Sequence, residues 1–218
     1  MRFTVQGILL FSLLFIFVSC GGSNQSNGDA RLPVFGEPSL LMRIENGVTY
    51  TDTVWPVLPG FRMVNQLGDT VSEADLEGKM QVVDFFFTSC PTICPIMSSQ
   101  MLRVYEAFIP AAPLVLLSYT IDPMHDSVEV LADYARKLEV DAPGWYFLRG
   151  DLDEVYELAE AHGSFAMQDK TAPGGFEHSG ALILVDPMRR IRGVYNGVDG
   201  KEVSRLLADI EILWNEYR

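Results

Sequence analysis

QVVDFFFT, residues Gln81 to Thr88, is a β-branched and aromatic run with no polar alternation. A strand buried on one face alternates apolar and polar residues, so this run is expected to be a central strand covered on both faces. Ser89 follows, then Cys90-Pro91-Thr92-Ile93-Cys94-Pro95, and from Ile96 to Phe108 apolar residues recur at helical spacing. A buried strand, a tight turn and a helix are the opening of a parallel α/β unit. Such sheets carry their chemistry just past the carboxyl ends of the strands, which is where the two cysteines fall.

Working outward, Leu114 to Thr120 reads as a second buried strand and Ser127 to Leu138 as a helix with Ser127 as its cap. Trp145 to Leu148 is a short strand and Leu152 to His162 a helix. Gly180 to Val185 and Ile191 to Tyr195 flank the turn residues Asp186 to Arg190 and predict a hairpin, and Glu202 to Tyr217 is an amphipathic closing helix. On the amino side, Phe61 to Leu67 with Gly68-Asp69 predicts a hairpin arm, and Ser72 opens a short helical turn. Parallel crossovers first and an antiparallel edge last is the order of a thioredoxin-like fold, a central mixed sheet flanked by helices. Residues 61–218 are expected to form this domain. Leu32 to Gly60, with Pro33, Pro38, Pro56 and Pro59, reads as an extended arm laid across it.

Composition agrees with one such domain plus appendages. The 218 residues are 48% hydrophobic and 21% charged, which provides a sizeable core and excludes whole-chain disorder, collagen and coiled coil. A formal net charge of −13 excludes sequence-independent nucleic-acid binding, because phosphate affinity comes from counterion release onto Lys and Arg.

The first residues have another purpose. Arg2 gives a positive start, and Ile8 to Val18 is an apolar run of signal-peptide length, short of the roughly 20 residues of a membrane span. It stops at Val18-Ser19-Cys20-Gly21-Gly22, which resembles the lipobox of bacterial lipoproteins, with Phe17 where Leu is commoner. Residues 1–19 are therefore expected to be a lipoprotein signal peptide, Cys20 the lipidation site, and residues 20–31 a flexible tether rich in Gly, Ser and Asn. The expected location is the cell envelope, lipid-anchored and facing the periplasm or outer face.

Three cysteines are too few for a disulfide scaffold. With Pro95 at the first helical position, Cys94 is expected to be the helix cap and Cys90 to lie on the loop, where the helix dipole favours thiolate over thiol. Two adjacent thiolates either close a disulfide or bind a soft metal. A static staple across so short a loop stabilises little. The spacing is also one residue wider than the C-x-x-C of ordinary thiol reductases, which admits a metal ion between the sulfurs. His162 precedes Gly163 and reads as a C-terminal dipole partner, and His125 sits in a turn after the second strand. His178, in a glycine-flanked loop leading into a buried strand, is either a surface histidine, the usual reading of a lone His, or a third ligand; in this topology the loop can fold back over the cysteine turn, and that fold-level argument leaves the two readings even.

DFFFTSCPTICPIM (Asp84 to Met97), SYTIDPMHDSVEVLADYA (Ser118 to Ala135) and EHSGALILVDP (Glu177 to Pro187), in this order and separation, resemble the Sco (SenC-type) family of copper chaperones for cytochrome oxidase assembly. The resemblance runs from about Phe61 to the C-terminus. It implies copper, Cu(I) or Cu(II), held by Cys90, Cys94 and His178, with the copper-bearing subunit of cytochrome c oxidase as client and a thioredoxin-like reductant as second partner. Coordination needs both thiolates reduced, and the same pair can reduce a client disulfide, so Cys90 and Cys94 are also a candidate redox pair and a metal-independent thiol-disulfide oxidoreductase is the alternative. A peroxiredoxin-like activity ranks last, because its T-x-x-C spacing is absent. Thr92 stands where the family commonly has an acidic residue, and Met124-His125 replaces a commoner charged pair. His125 is accordingly expected not to be a primary ligand.

Overall fold

The computed structural model describes residues 30–109, 111–140 and 144–218. The expected signal peptide, the lipidation site Cys20 and most of the tether lie outside the described residues. In chain order the strands are β1 (Ser39–Glu45), β2 (Val48–Val54), β3 (Arg62–Val64), β4 (Thr70–Ser72) and β5 (Met80–Phe86). Helix α1 (Cys94–Phe108) leads to β6 (Leu114–Thr120), α2 (Val128–Lys137), β7 (Trp145–Leu148) and α3 (Leu152–Ala161). Short strands β8 (Ala166–Gln168) and β9 (Phe176–His178) precede β10 (Ala181–Val185), β11 (Ile191–Asn196) and the closing helix α4 (Gly200–Glu216).

The central sheet has the order β11-β10-β5-β6-β7. β5, β6 and β7 run parallel, and β10 is antiparallel to both β5 and β11. All seven residues of β5 and all seven of β6 are buried, as expected of runs that are mainly apolar and lack polar alternation, with Gln81, Asp84, Ser118 and Thr120 buried among them. Successive aromatic residues of β5 serve opposite faces. Phe86 meets Tyr134 of α2 and Phe147 of β7 on one side, whereas Phe85 stacks on Tyr119 and meets His162 at the end of α3 on the other. The arrangement is the mixed, helix-flanked sheet expected from the sequence.

Two local expectations need correction. Helix α1 starts one residue earlier than expected, with Ile93 as its cap, so Cys94 is the first helical residue and Pro95 the second. His162 is not a charged partner of the helix end: it is 3% exposed, its Nδ1 lies 2.6 Å from the Leu158 carbonyl, and burial lowers its pKa to about 4. A folded pKa below the ordinary 6.5 means that the unfolded chain binds the proton more tightly. The stability this histidine contributes is therefore present above pH 6.5 and is lost as pH falls through 4. Relative to wild type, the His162→Leu variant should gain about 3 kcal/mol between pH 7 and pH 4. Urea unfolding at the two pH values measures it, and equal pH dependence in both proteins would refute the assignment.

Residues 32–60 differ from a simple arm. Their ends are pinned beside β11: the Phe35 amide donates to the Ile191 carbonyl at 2.9 Å, and the Leu58 amide to that of Arg189 at 2.8 Å. Arg192, 3% exposed, donates to the carbonyls of Leu32 and Pro33 and pairs with Asp186 and Glu216. Between these anchorages β1 and β2 form a separate two-stranded hairpin. Its tip, Asn46-Gly47, has φ of 54° and 77°, the left-handed pair that a two-residue hairpin turn demands.

Candidate metal centre

β5 delivers the chain to the cysteine turn, where the Cys90 amide donates to the Phe87 carbonyl at 3.3 Å. Cys90 is 8% and Cys94 1% exposed, and both are free thiols. Helix α1 turns Cys94, Met97, Met101 and Val104 into the core, so the second thiol is fixed by the packing of the whole helix. A second loop, from β5's neighbour β6, is lashed to the first. Fully buried Asp126 accepts from the amide and hydroxyl of Thr88 and from the Thr120 hydroxyl, while Arg149 donates to the carbonyls of Asp126 and Pro123.

The third element is the β8–β9 hairpin, which brings in His178 from 84 residues away. Ala166 pairs with His178 and Gln168 with Phe176. The hairpin is seated on Phe87, whose ring meets those of Phe176 and His178. Gly174, at φ 82°, lets the preceding turn approach: a Cβ there would lie 2.6 Å from the Phe87 ring. His178 thus ends a short strand instead of riding a free loop.

The result is a compact donor set. Cys90 Sγ, Cys94 Sγ and one ring nitrogen of His178 lie within 4.8 Å of one another. His178 Nδ1 is 3.0 Å from the Ser179 carbonyl and Nε2 is 3.4 Å from Cys94 Sγ. The neutral tautomer that satisfies both contacts donates from Nδ1 and leaves the Nε2 lone pair facing the sulfur. Burial lowers the His178 pKa and so keeps this imidazole neutral and available as a ligand. A cleft of about 310 Å³, lined by Phe87, Cys90, Thr92, Ile93, Phe176 and His178 among others, opens beside it.

The two thiols are not equivalent. Burial works against the Cys90 thiolate, but hydrogen bonds from the Thr92 and Cys94 amides and side chains outweigh it and lower the pKa. Cys94 goes the other way: burial pushes its thiol far up, and the charges of Cys90 and Asp84 add to the effect. The expectation that the helix terminus favours thiolate therefore holds for Cys90 and is corrected for Cys94, where desolvation beats the dipole. His125 is exposed, with its amide on Asp122, and stands outside the three-residue group.

Among the described residues no fourth His, Cys, Asp or Glu joins the group. Two sulfurs and one imidazole suit a soft, low-coordinate ion such as Cu(I), and the nitrogen extends the set to Cu(II); structural zinc takes four protein ligands. Sequence reading missed Asp126 and Thr88 as the lashing between loops. It also missed Asp84, whose signal was a charged residue inside an otherwise apolar run.

Comparison with known proteins adds the lineage. A relative in Stutzerimonas stutzeri, named for copper binding, is 31% identical over 141 residues, 62% of this chain and 67% of that one. A solved SCO1/SenC family lipoprotein from Bacillus anthracis superposes with a TM-score of 0.66 at 26% identity, covering 72% of this chain and 94% of that one. BsSco, described as a member of the Sco family of cytochrome c oxidase assembly proteins with a disulfide switch, gives 0.64 at 26% identity, over 72% and 92%. The SCO1/SenC family model matches residues 53–215, a span that includes all five strands of the central sheet and every element of the donor set, so this chain belongs to the SCO1/SenC family.

Proposed function

We propose that this protein is a copper chaperone, holding copper through Cys90, Cys94 and His178 and delivering it to the binuclear copper centre of a cytochrome c oxidase subunit. The observation that carries the reading is the convergence of two free thiols and a neutral imidazole within 4.8 Å. The names of its relatives, a copper-binding protein and an oxidase assembly protein, support the cargo and the client. Three ligands hold copper while leaving a coordination position through which a client ligand attacks, and the cleft beside Cys90 gives that ligand access. Cys94, deeper in the core, retains the ion until the client has engaged. The lipidated Cys20 and its tether hold the domain at the membrane, the setting of the Bacillus anthracis lipoprotein. No helix among the described residues is long and apolar enough to cross a membrane.

A second reading has its own observation, the asymmetry of the pair. A partly accessible, lowered-pKa Cys90 beside a buried Cys94 is the arrangement of an attacking and a resolving thiol. Cys90 would attack a client disulfide, Cys94 would displace the client thiol, and the protein would leave oxidised, to be restored by a thioredoxin-like reductant. The two readings separate in one experiment. Copper-loaded full-length protein is mixed with a metal-free, prereduced copper domain of the oxidase, and the client's copper absorption is followed. The chaperone reading expects the band to appear with one-to-one loss of copper from the donor. Absence of transfer to a prereduced client, with metal-free protein still reducing an oxidised one, would replace it by the thiol-exchange reading.

A further inference from the structure

The β1–β2 hairpin lies almost wholly outside the family match, which begins at residue 53, and it takes no part in the metal centre. Its register divides it sharply. Leu40, Met42 and Ile44 pair with Thr53, Thr51 and Thr49, so one face carries three aliphatic side chains, three threonines and no charge. Those aliphatic residues are 71%, 74% and 76% exposed. Every charge projects from the other face, where Arg43 bonds Asp52 at 2.7 Å, pairs with Glu45 and lies over the Tyr50 ring, among Leu41, Val48 and Val54.

We infer that the uncharged face of this hairpin rests on the lipid surface to which the chain is tethered. The inference rests on the anchored reading of Cys20 and goes beyond it by assigning the second contact. Leu32, the first clamped residue, follows Cys20 by 12 positions, a reach of about 40 Å when extended. The hairpin begins a few residues after that clamp and is about 23 Å long, so the anchor brings its whole length within range of the bilayer. A second copy is the weaker occupant on area. A two-stranded face seven residues long covers roughly 250 Å², against about 800 Å² per partner in a stable protein interface. Lipid requires no such area, because the tether already supplies a high effective concentration. Among the described residues the outer edges of both strands have no sheet partner, which confines the hairpin to the headgroup boundary, lying flat. A net charge of −13 excludes attraction to anionic lipid, so the contact is apolar and belongs on a zwitterionic surface.

The test places a tryptophan on either face of the full-length, acylated chain, Met42→Trp or Glu45→Trp, in phosphatidylcholine vesicles with and without brominated acyl chains. Emission added by each substitution is taken over the parent's three tryptophans. Bromine should lower the emission added at position 42 about twofold or more and leave that at position 45 unchanged. No quenching at 42, or equal quenching at both, overturns the inference. Emission at 42 that is shifted but unquenched, and that reverts on dilution, overturns it in favour of a second copy. Flotation of wild type beside Cys20→Ser reads the anchor separately: a wild type that stays unacylated and sinks breaks the anchored reading, whereas quenching at 42 in excess vesicles still reports the hairpin. Copper stoichiometry in each variant verifies that the domain remains folded.

Discussion

Cys90→Ala and Cys94→Ala should each abolish one-to-one copper binding, lowering affinity by more than about a hundredfold, because each removes one of three converging donors, and losing even a hydrogen-bond partner behind a ligand can cost that much. His178→Ala should behave differently with oxidation state. Cu(I) is content with two thiolates, so its binding weakens modestly, whereas Cu(II) needs the borderline nitrogen and loses its thiolate charge-transfer spectrum. Titration of reduced protein under argon, followed by absorbance, reads both. His125→Ala belongs in the same series: exposed, and outside the donor set, it should leave stoichiometry and spectra intact. Were His125→Ala to lose Cu(II) while His178→Ala kept it, the donor would be the loop after β6 and the present assignment would fall.

How much of this was readable without coordinates follows from the range over which each signal acts. β6 and β7 occupy the residues expected because a run buried on both faces is marked by every residue in it. Ser127 caps α2 as expected, a relation spanning three residues. The paired cysteines were legible for the same reason. His178 was not, since its approach to Cys94 depends on a hairpin of three-residue strands, too short for any period, folding back across 84 positions; only the family resemblance pointed there. His162 misled because a histidine before glycine has the local signature of a helix end, while its burial between Phe85 and Tyr119 is a tertiary fact. The β1–β2 hairpin did have local signals, Asn46-Gly47 and the alternation of Met42-Arg43-Ile44-Glu45 and of Val48 to Val54, but flanking prolines and the exposure of both faces drew the reading to an extended arm.

Asp84→Asn should stabilise the metal-free protein at pH 8 by about 4 kcal/mol and leave it nearly unchanged at pH 4. Asp84 is 2% exposed in the middle strand, and burial raises its pKa from 3.8 to about 7 against the opposing hydrogen bond from Ser118. The Ser118 hydroxyl, which donates to the carboxyl, accepts in turn from Trp145 Nε1 at 2.9 Å, so the group is held in place and cannot turn to water. A raised folded pKa means that the native state holds this proton more tightly than the unfolded chain does. Its contribution is fully present below pH 3.8 and is lost as pH rises through 7. Asparagine keeps an oxygen to accept from Ser118 and has nothing to ionise, which is why the substitution gains where most core changes lose. His162 has the opposite slope between about pH 4 and 6.5, so the two oppose each other across that window. Relative to wild type, the single variants tilt the profile in opposite directions: Asp84→Asn makes stability climb more steeply with pH, and His162→Leu makes it climb less or decline. Urea unfolding of both variants and the wild type at pH 4, 6 and 8 reads all three slopes. A wild type as stable as Asp84→Asn at pH 8 would show that the buried carboxyl ionises without cost.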